Sequence, residues 1–146
     1  MLITSKALQT VASRYVKNSL EPGFSSLDVR ASGRTRKESR SWVDTAHDKS
    51  FRDIEYKEGT FIHLLPGEFI LINTKEIFTM PHNVMGMFTL RSKWARKGLD
   101  QSASLVLQPN WEGNLVMEVR NNLQRHTLSI PVGEAIGQVH FFRCMS

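Results

Sequence analysis

The chain has 146 residues, a formal net charge of +5 and one cysteine, with 40% hydrophobic and 23% charged residues. That length buries a core without disulfides or a structural metal, and a lone thiol, Cys144, excludes an internal disulfide, a zinc ribbon and the paired thiolates of a zinc deaminase. No apolar run approaches the ~18 residues of a membrane span and no signal peptide is legible at the N-terminus, so one domain over 1–146 in a reducing, cytoplasmic setting is expected.

Residues 1–19 read as a helical N-terminal segment. Leu8, Val11, Ala12, Tyr15 and Val16 recur at helix spacing over 5–17, and Thr4 or Ser5 offers a cap. Pro22 and Gly23 then mark a turn. Residues 30–50 are polar, and the run "VRASGRTRKESR" at 29–40 concentrates the cations. This stretch reads as a long irregular basic excursion. No aromatic pattern is interleaved with the charges, so a solvated loop is favoured over a nucleic-acid patch.

From about residue 54 the texture changes. "GTFIHLLPGEFILINTKEIFTMPHNVMGMFTL" alternates short β-branched and aromatic runs with Pro and Gly, which is the pattern of strands joined by turns. In "LPGE", Pro66 sets φ and Gly67 permits a positive one, giving a tight turn. Four more strands are expected in "SLVLQP", "NLVMEVRN", "HTLSIPVG" and "IGQVHFF". Short strands at regular spacing predict an all-β barrel or sandwich.

Two segments carry candidate chemistry. Residues 91–97 lie between strands and hold no helix breaker before Gly98, so one or two helical turns closed by that glycine are expected. Ser92 and Arg96 are then i and i+4 and share a face. In "NLVMEVR" at 114–120, Leu115, Met117 and Val119 point one way and Val116, Glu118 and Arg120 the other, so Glu118 faces away from the core. Taken alone, a basic surface helix and an exposed Glu–Arg pair also account for these residues. His63, His82, His126 and His140 show no metal-ligand spacing, and Gln138 sits within an apolar strand, where its amide needs partners.

The order of the pieces resembles the family of dCTP deaminases and trimeric dUTPases. "LLPGEFILINTKEIFTMPHNVMGMFTLRSKWARKGL" is similar to the family's Pro-Gly-Glu turn, the strands after it and its Arg-Ser-x-x-Ala-Arg-x-Gly motif. "QPNWEGNLVMEVRN" resembles its Asp-Pro-Gly-aromatic-x-Gly turn and Glu-bearing strand, and "IPVGEAIGQVHFF" its closing strand. "LEPGFSSLDVR" at 20–30 is a weaker echo of an early Asp-x-Arg strand. The resemblance implies a mainly β, distorted jelly-roll, dUTPase-like barrel that assembles as a homotrimer. It implies sites at subunit interfaces that bind a deoxynucleoside triphosphate, with Mg²⁺ carried on the phosphates and no protein-ligated metal. Arg91, Lys93 and Arg96, with backbone N–H groups of the helix start, would cradle the phosphates; Trp94 and Ala95 belong to the same nucleotide-binding segment.

Two chemistries divide the family. Where a dUTPase needs an aspartate motif to activate water, this chain has Gln108, Asn110 and Trp111, and an amide is no base at neutral pH. Deamination of cytosine needs one carboxylate to shuttle a proton, and the resemblance assigns that role to Glu118, which partial burial would tune toward neutrality. Ser92 and Arg96 would position water and stabilise developing charge. Gln108 would contact the sugar or base, and the peptide groups of Val116 and Met117 would read the base edge. The chain ends four residues after Phe142, short of the family's C-terminal arm over the triphosphate, so weaker phosphate binding is expected, with residues 30–50 a candidate substitute.

The leading reading is therefore a dCTP deaminase-like hydrolase releasing dUTP and ammonia, in a host cytoplasm or, for a viral protein, a virion. A second is a catalytically inactive trimer of the same fold, acting as a nucleotide-sensing regulator or capsid-associated module. A single-strand nucleic-acid binder, with Trp42, Trp94 and Trp111 stacking on bases, ranks last.

Overall fold

A computed structural model of the chain describes residues 1–40, 46, 50–103 and 105–145. In chain order the elements are α1 (Ser5–Tyr15), β1 (Val16–Lys17), β2 (Leu27–Glu38), β3 (Phe51–Glu55), β4 (Phe61–Leu64), β5 (Phe69–Thr79) and β6 (Val84–Leu90). They continue as α2 (Ser92–Ala95), β7 (Leu99–Gln101), β8 (Leu105–Leu107), β9 (Glu112–Asn121), β10 (Leu128–Pro131) and β11 (Ala135–Arg143). The strands pair in the order β7-β9-β5-β2-β11-β6-β8, with β1 added to β5 and β3 to β2, while β10 and β4 form a separate pair. The sheet curls into a half-barrel, so the mainly β architecture that the sequence predicts is the one observed.

The curl arises in β2. Leu27–Arg30 pair with β11, whereas Ala31–Lys37 pair with β5, and two extra residues bulge out between Ala31 and Thr35. A strand that changes sheet partners through a bulge makes a corner. Opposite it, β5 carries its own bulge between Asn73 and Ile77 against β9. Side chains fill that irregularity. The Thr74 hydroxyl donates to the Glu76 carbonyl at 2.8 Å and accepts the Leu115 N–H at 3.0 Å. The Asn114 amide donates to the carbonyls of Thr74 and Glu76 at 2.8 and 3.2 Å. The fully buried Glu76 carboxylate accepts the Arg30 backbone N–H at 2.9 Å and the Arg30 Nε at 2.7 Å.

Inside the curl, alternate residues of each strand form one apolar core, including Leu27, Val29, Ile70, Ile72, Met117, Val119, Val139 and Phe141. Gly137 is required by this packing, because a Cβ there would meet the Phe88 ring at 2.1 Å. The "LPGE" turn forms as expected, with Gly67 at φ +79 and the Glu68 N–H donating to the Leu65 carbonyl at 3.0 Å.

Two expectations are corrected. Over 30–38 the chain is not an irregular excursion: β2 continues to Glu38 and pairs with both β3 and β5, while 41–45 and 47–49 lie outside the described residues. The inward positions Thr35 and Lys37 are polar, so no apolar alternation announces the strand. Lys37 is buried with its ammonium donating to the His63 carbonyl at 2.6 Å and 3.4 Å from the Glu68 carboxylate. Trp42 lies outside the described residues. The N-terminal helix is shorter than predicted; it stops at Tyr15, and Thr4, its N-cap, makes no side-chain cap bond. The Gln138 amide finds its partners within the chain, from the Ser26 hydroxyl at 3.2 Å and toward Thr89 at 3.4 Å. Among the described residues no helix is long and apolar enough to cross a membrane.

Glu76→Ala leaves Arg30 facing a buried void and is expected to cost about 3 kcal/mol of stability, read as a lower urea midpoint. Glu76→Gln keeps an acceptor for the Arg30 N–H and should cost less.

Candidate functional site

The predicted helix at 91–97 is a single turn, α2, followed by a turn into Gly98. The Arg91 carbonyl accepts the N–H groups of Trp94 and Ala95 at 3.0 and 3.1 Å, and the Ser92 carbonyl accepts that of Arg96 at 2.9 Å. Ser92 and Arg96 thus share a face as their spacing requires, and both are exposed. Arg96 closes the helix, and Gly98, at φ +103, turns the chain into β7. Any side chain on Gly98 would strike Leu123, at 2.4 Å from an added Cβ.

Trp94 is the anchor of this turn. It is 2% exposed within the core, and its indole N–H donates to Glu134 Oε2 at 3.1 Å. The Lys97 ammonium lies 4.8 Å from the centre of its ring. Lys93 stands 3.4 Å from the same Glu134 carboxylate, and Arg91 stands 3.7 Å from Asp28. With Trp94 inward, Ser92, Lys93, Ala95 and Arg96 form the outward surface. That surface offers cations and a hydroxyl.

Glu118 occupies a different surface. Leu115, Met117 and Val119 are buried, while Val116 is 39% exposed and Glu118 half-buried on the opposite face. The alternation read from "NLVMEVR" therefore holds. Across the ladder Glu118 faces Leu71, and Val116 faces Asn73. The Glu118 carbonyl accepts the Ser102 N–H at 3.0 Å. Met117 is fully buried, so only its peptide groups remain to meet a ligand. Gln108 is exposed at the start of a turn in which its carbonyl accepts the Trp111 N–H at 3.2 Å. Pro109 precedes Asn110 at φ +67 in that turn, the geometry of a type II turn, where asparagine replaces the usual glycine.

Among the described residues, no hydrogen bond or ion pair links Ser92 or Arg96 to Glu118. The turn α2 is tied to Asp28, Glu134 and Ile136, whereas Glu118 sits on the outward face of β9 beside β5. One chain brings Val116, Met117 and Glu118 together, and Arg91, Ser92, Lys93 and Arg96 together, as two separate groups. Among the described residues no cluster of His, Cys, Asp and Glu has metal-site geometry.

The Glu118 face also holds groups that sequence reasoning missed. A cleft of about 270 Å³ opens there, lined by Arg34, Arg36, Asp53, Asn73 and Val116 among others. Its only signal in the sequence is the alternation Arg34, Arg36 in "GRTRKE", which composition disguised as loop. Arg36 Nε donates to Asp53 Oδ1 at 2.8 Å. That hydrogen bond, and then the charge of Arg36, hold the Asp53 carboxyl below its ordinary value of 3.8, with Arg34 adding to the effect.

The comparisons with known proteins can now be set beside this geometry. The dCTP deaminase-like family model matches residues 3–144. The chain belongs to that family. A dCTP deaminase, dUMP-forming, from Clavibacter michiganensis subsp. michiganensis is 31% identical over 144 residues, covering 92% of this chain and 71% of the relative. A dCTP deaminase from Alteromonas mediterranea is 39% identical over 85 residues, 57% of this chain and 43% of the relative. In three dimensions the chain resembles a 2'-deoxycytidine 5'-triphosphate deaminase from Agrobacterium tumefaciens, with a TM-score of 0.76 at 14% identity, over 99% of this chain and 48% of that one. It resembles the dUTPase of Staphylococcus bacteriophage 80alpha with a TM-score of 0.60 at 17% identity, over 90% of both chains. Measured against the deaminases, the dCTP deaminase-like chain spans from under half to about seven-tenths of their length.

Because its folded-state value is depressed, the Asp53–Arg36 contact is fully present above pH 3.8 and is lost as pH falls through the lower value. An NMR titration of the Asp53 carboxyl should give a midpoint below 3.8, returning toward it in Arg36→Gln.

Proposed function

We propose that this chain is a dCTP deaminase whose site forms between two copies, with a homotrimer as the assembly. The observation that carries the reading is Glu118: a half-buried carboxylate on an outward sheet face, without a side-chain partner among the described residues, on the strand that resembles the family's Glu-bearing one. A carboxylate so placed is ready to accept a proton rather than to stabilise the fold. The second copy brings the outward surface of α2 over it, with Ser92 and Arg96 facing the reacting atoms and Arg91 and Lys93 the phosphates.

The chemistry needs no protein-held metal. Glu118 takes a proton from water as its oxygen bonds to cytosine C4, and the proton passes to N3. A second transfer, from the new hydroxyl to the exocyclic amine, lets the C4–N bond break; ammonia leaves and the C4 carbonyl of uracil remains. Ser92 orients the water, and Arg96 stabilises charge developing on the oxygen and ring. Gln108 meets the sugar or base, and the peptide groups of Val116 and Met117 read the pyrimidine edge. Mg²⁺ arrives on the triphosphate oxygens. Since Gln108 and Asn110 carry amides where a pyrophosphatase needs acids, the product is dUTP rather than dUMP.

Purified protein with dCTP and Mg²⁺ should release ammonia and yield dUTP, and Glu118→Gln should reduce the rate by roughly 10²–10⁴. A wild-type assembly that binds no deoxynucleotide would instead favour the inactive-module reading, to which the two amides in the 108–111 turn lend support. Mixing tests the shared site. Arg96→Ala and Glu118→Gln assemblies, each inactive, should regain activity when dissociated and reassembled together, because some interfaces then combine an intact Arg96 with an intact Glu118. Failure to regain activity in verified mixed assemblies would place both groups in one chain.

A further inference from the structure

The geometry points to a subsite beside Glu118, in which the Asn73 amide and the Arg34 guanidinium hold the sugar and the adjoining phosphate of the nucleotide. This rests on the deaminase reading above and adds contacts from the same chain that carries Glu118.

Three observations converge. The first is an amide without a protein partner among the described residues. Gln101, Asn114, Asn121 and Gln138 all have their amides held by named partners, whereas half-buried Asn73, on the cleft wall, has no side-chain hydrogen bond among the described residues. A polar group in that position is available to a ligand. The second is a loosely held cation. Arg34 Nε lies 3.6 Å from the Glu55 carboxylate, with the two side chains 71% and 73% exposed; such a pair contributes little and leaves the guanidinium free to turn. Arg36, by contrast, is fastened to Asp53 at 2.8 Å.

The third is spacing. Asn73 is the cross-strand partner of Val116, and Val116 is two residues along β9 from Glu118 on the same face. Two residues of strand span about 7 Å. With cytosine C4 at the Glu118 carboxylate, the ring lies over Val116, and its far side, where the sugar attaches, reaches Asn73. Arg34 lines the same cleft, where its planar fork suits the phosphate next to that sugar. The acids of the cleft are accounted for: Asp53 is neutralised by Arg36, and Glu55 competes with the phosphate for Arg34.

Equilibrium binding to the intact assembly tests this with dCTP and deoxycytidine as probes, alongside steady-state kinetics. Arg34→Gln should weaken dCTP binding about tenfold and make it less salt-dependent, while leaving deoxycytidine unaffected. Asn73→Ala should weaken both probes. In each case KM should rise while kcat changes by less than about twofold, the pattern of a binding residue. Glu55→Gln frees Arg34 and should tighten dCTP. Arg125→Gln removes an equal charge from an exposed position after β9 and serves as the control. Wild-type affinity in both Arg34→Gln and Asn73→Ala, or equal weakening in Arg125→Gln, would overturn the subsite while leaving the role of Glu118 intact. A wild type that binds no deoxynucleotide would overturn both.

Discussion

The shape of this protein depends on one buried carboxylate at the corner where β2 changes partners. Glu76 is fully enclosed and accepts both the backbone N–H and the side chain of Arg30. Arg30 is the last residue of β2 paired with β11, and Ala31 the first paired with β5. A bulge at such a place leaves backbone groups without ladder partners, and leaving them bare in an apolar interior is costly. Glu76, Thr74 and Asn114 supply the missing bonds together. Removing either charge of the Glu76–Arg30 pair would strand the other, which is why a salt bridge of modest net value still fixes the corner.

The corner is also what gives the site its platform. The bulge in β5 begins directly after Asn73 and ends before Ile77. Up to Asn73 the β5–β9 ladder is regular, so Leu71, Asn73, Val116 and Glu118 stand at fixed register on one face. Beyond it the strands bend away around the core. A binding surface built on paired strands holds its side chains more closely than one built on loops. The α2 surface is fixed by different means: Trp94 is buried and tied to Glu134, and a positive-φ glycine, Gly98, packs on Leu123. Two separately braced surfaces suit the proposed site between copies.

How much of this was legible in the sequence follows from where each signal resides. Apart from β7, the strands from residue 61 onward were legible because their inward positions are mostly apolar and their turns carry Pro, Gly or Asn. Strand β2 was not legible past Arg30, because its inward positions there include Thr35 and Lys37, buried by hydrogen bonds rather than by apolarity. The same polar composition hid the cleft, since Arg34 and Arg36 read as loop cations. The shared face of Ser92 and Arg96 was legible from helical spacing, and the outward direction of Glu118 from strand alternation. Trp94 as an anchor was not, because its partner Glu134 is forty positions away. Asn73 carries no local signal at all; only the register of β5 against β9 places it beside Val116.

A lone chain leaves the Glu118 face open, and that openness bears on the chemistry. A carboxylate that must trade protons with water and a base at neutral pH works best where bulk solvent is kept away. The described residues leave Val116 39% exposed beside it and place no donor on its side chain. A cover for this face must exclude water and bring hydrogen-bond donors without adding another acid. The outward side of α2 has that composition, with Ser92, Lys93 and Arg96 exposed, and the carboxylates beside it already paired: Glu134 with Trp94 and Lys93, Asp28 with Arg91. On the proposed reading a second copy brings the α2 surface to this face, and a head-to-tail contact of that kind closes into a ring when its rotation permits. The chemistry proposed for Glu118 thus depends on the composition of the surface that covers it.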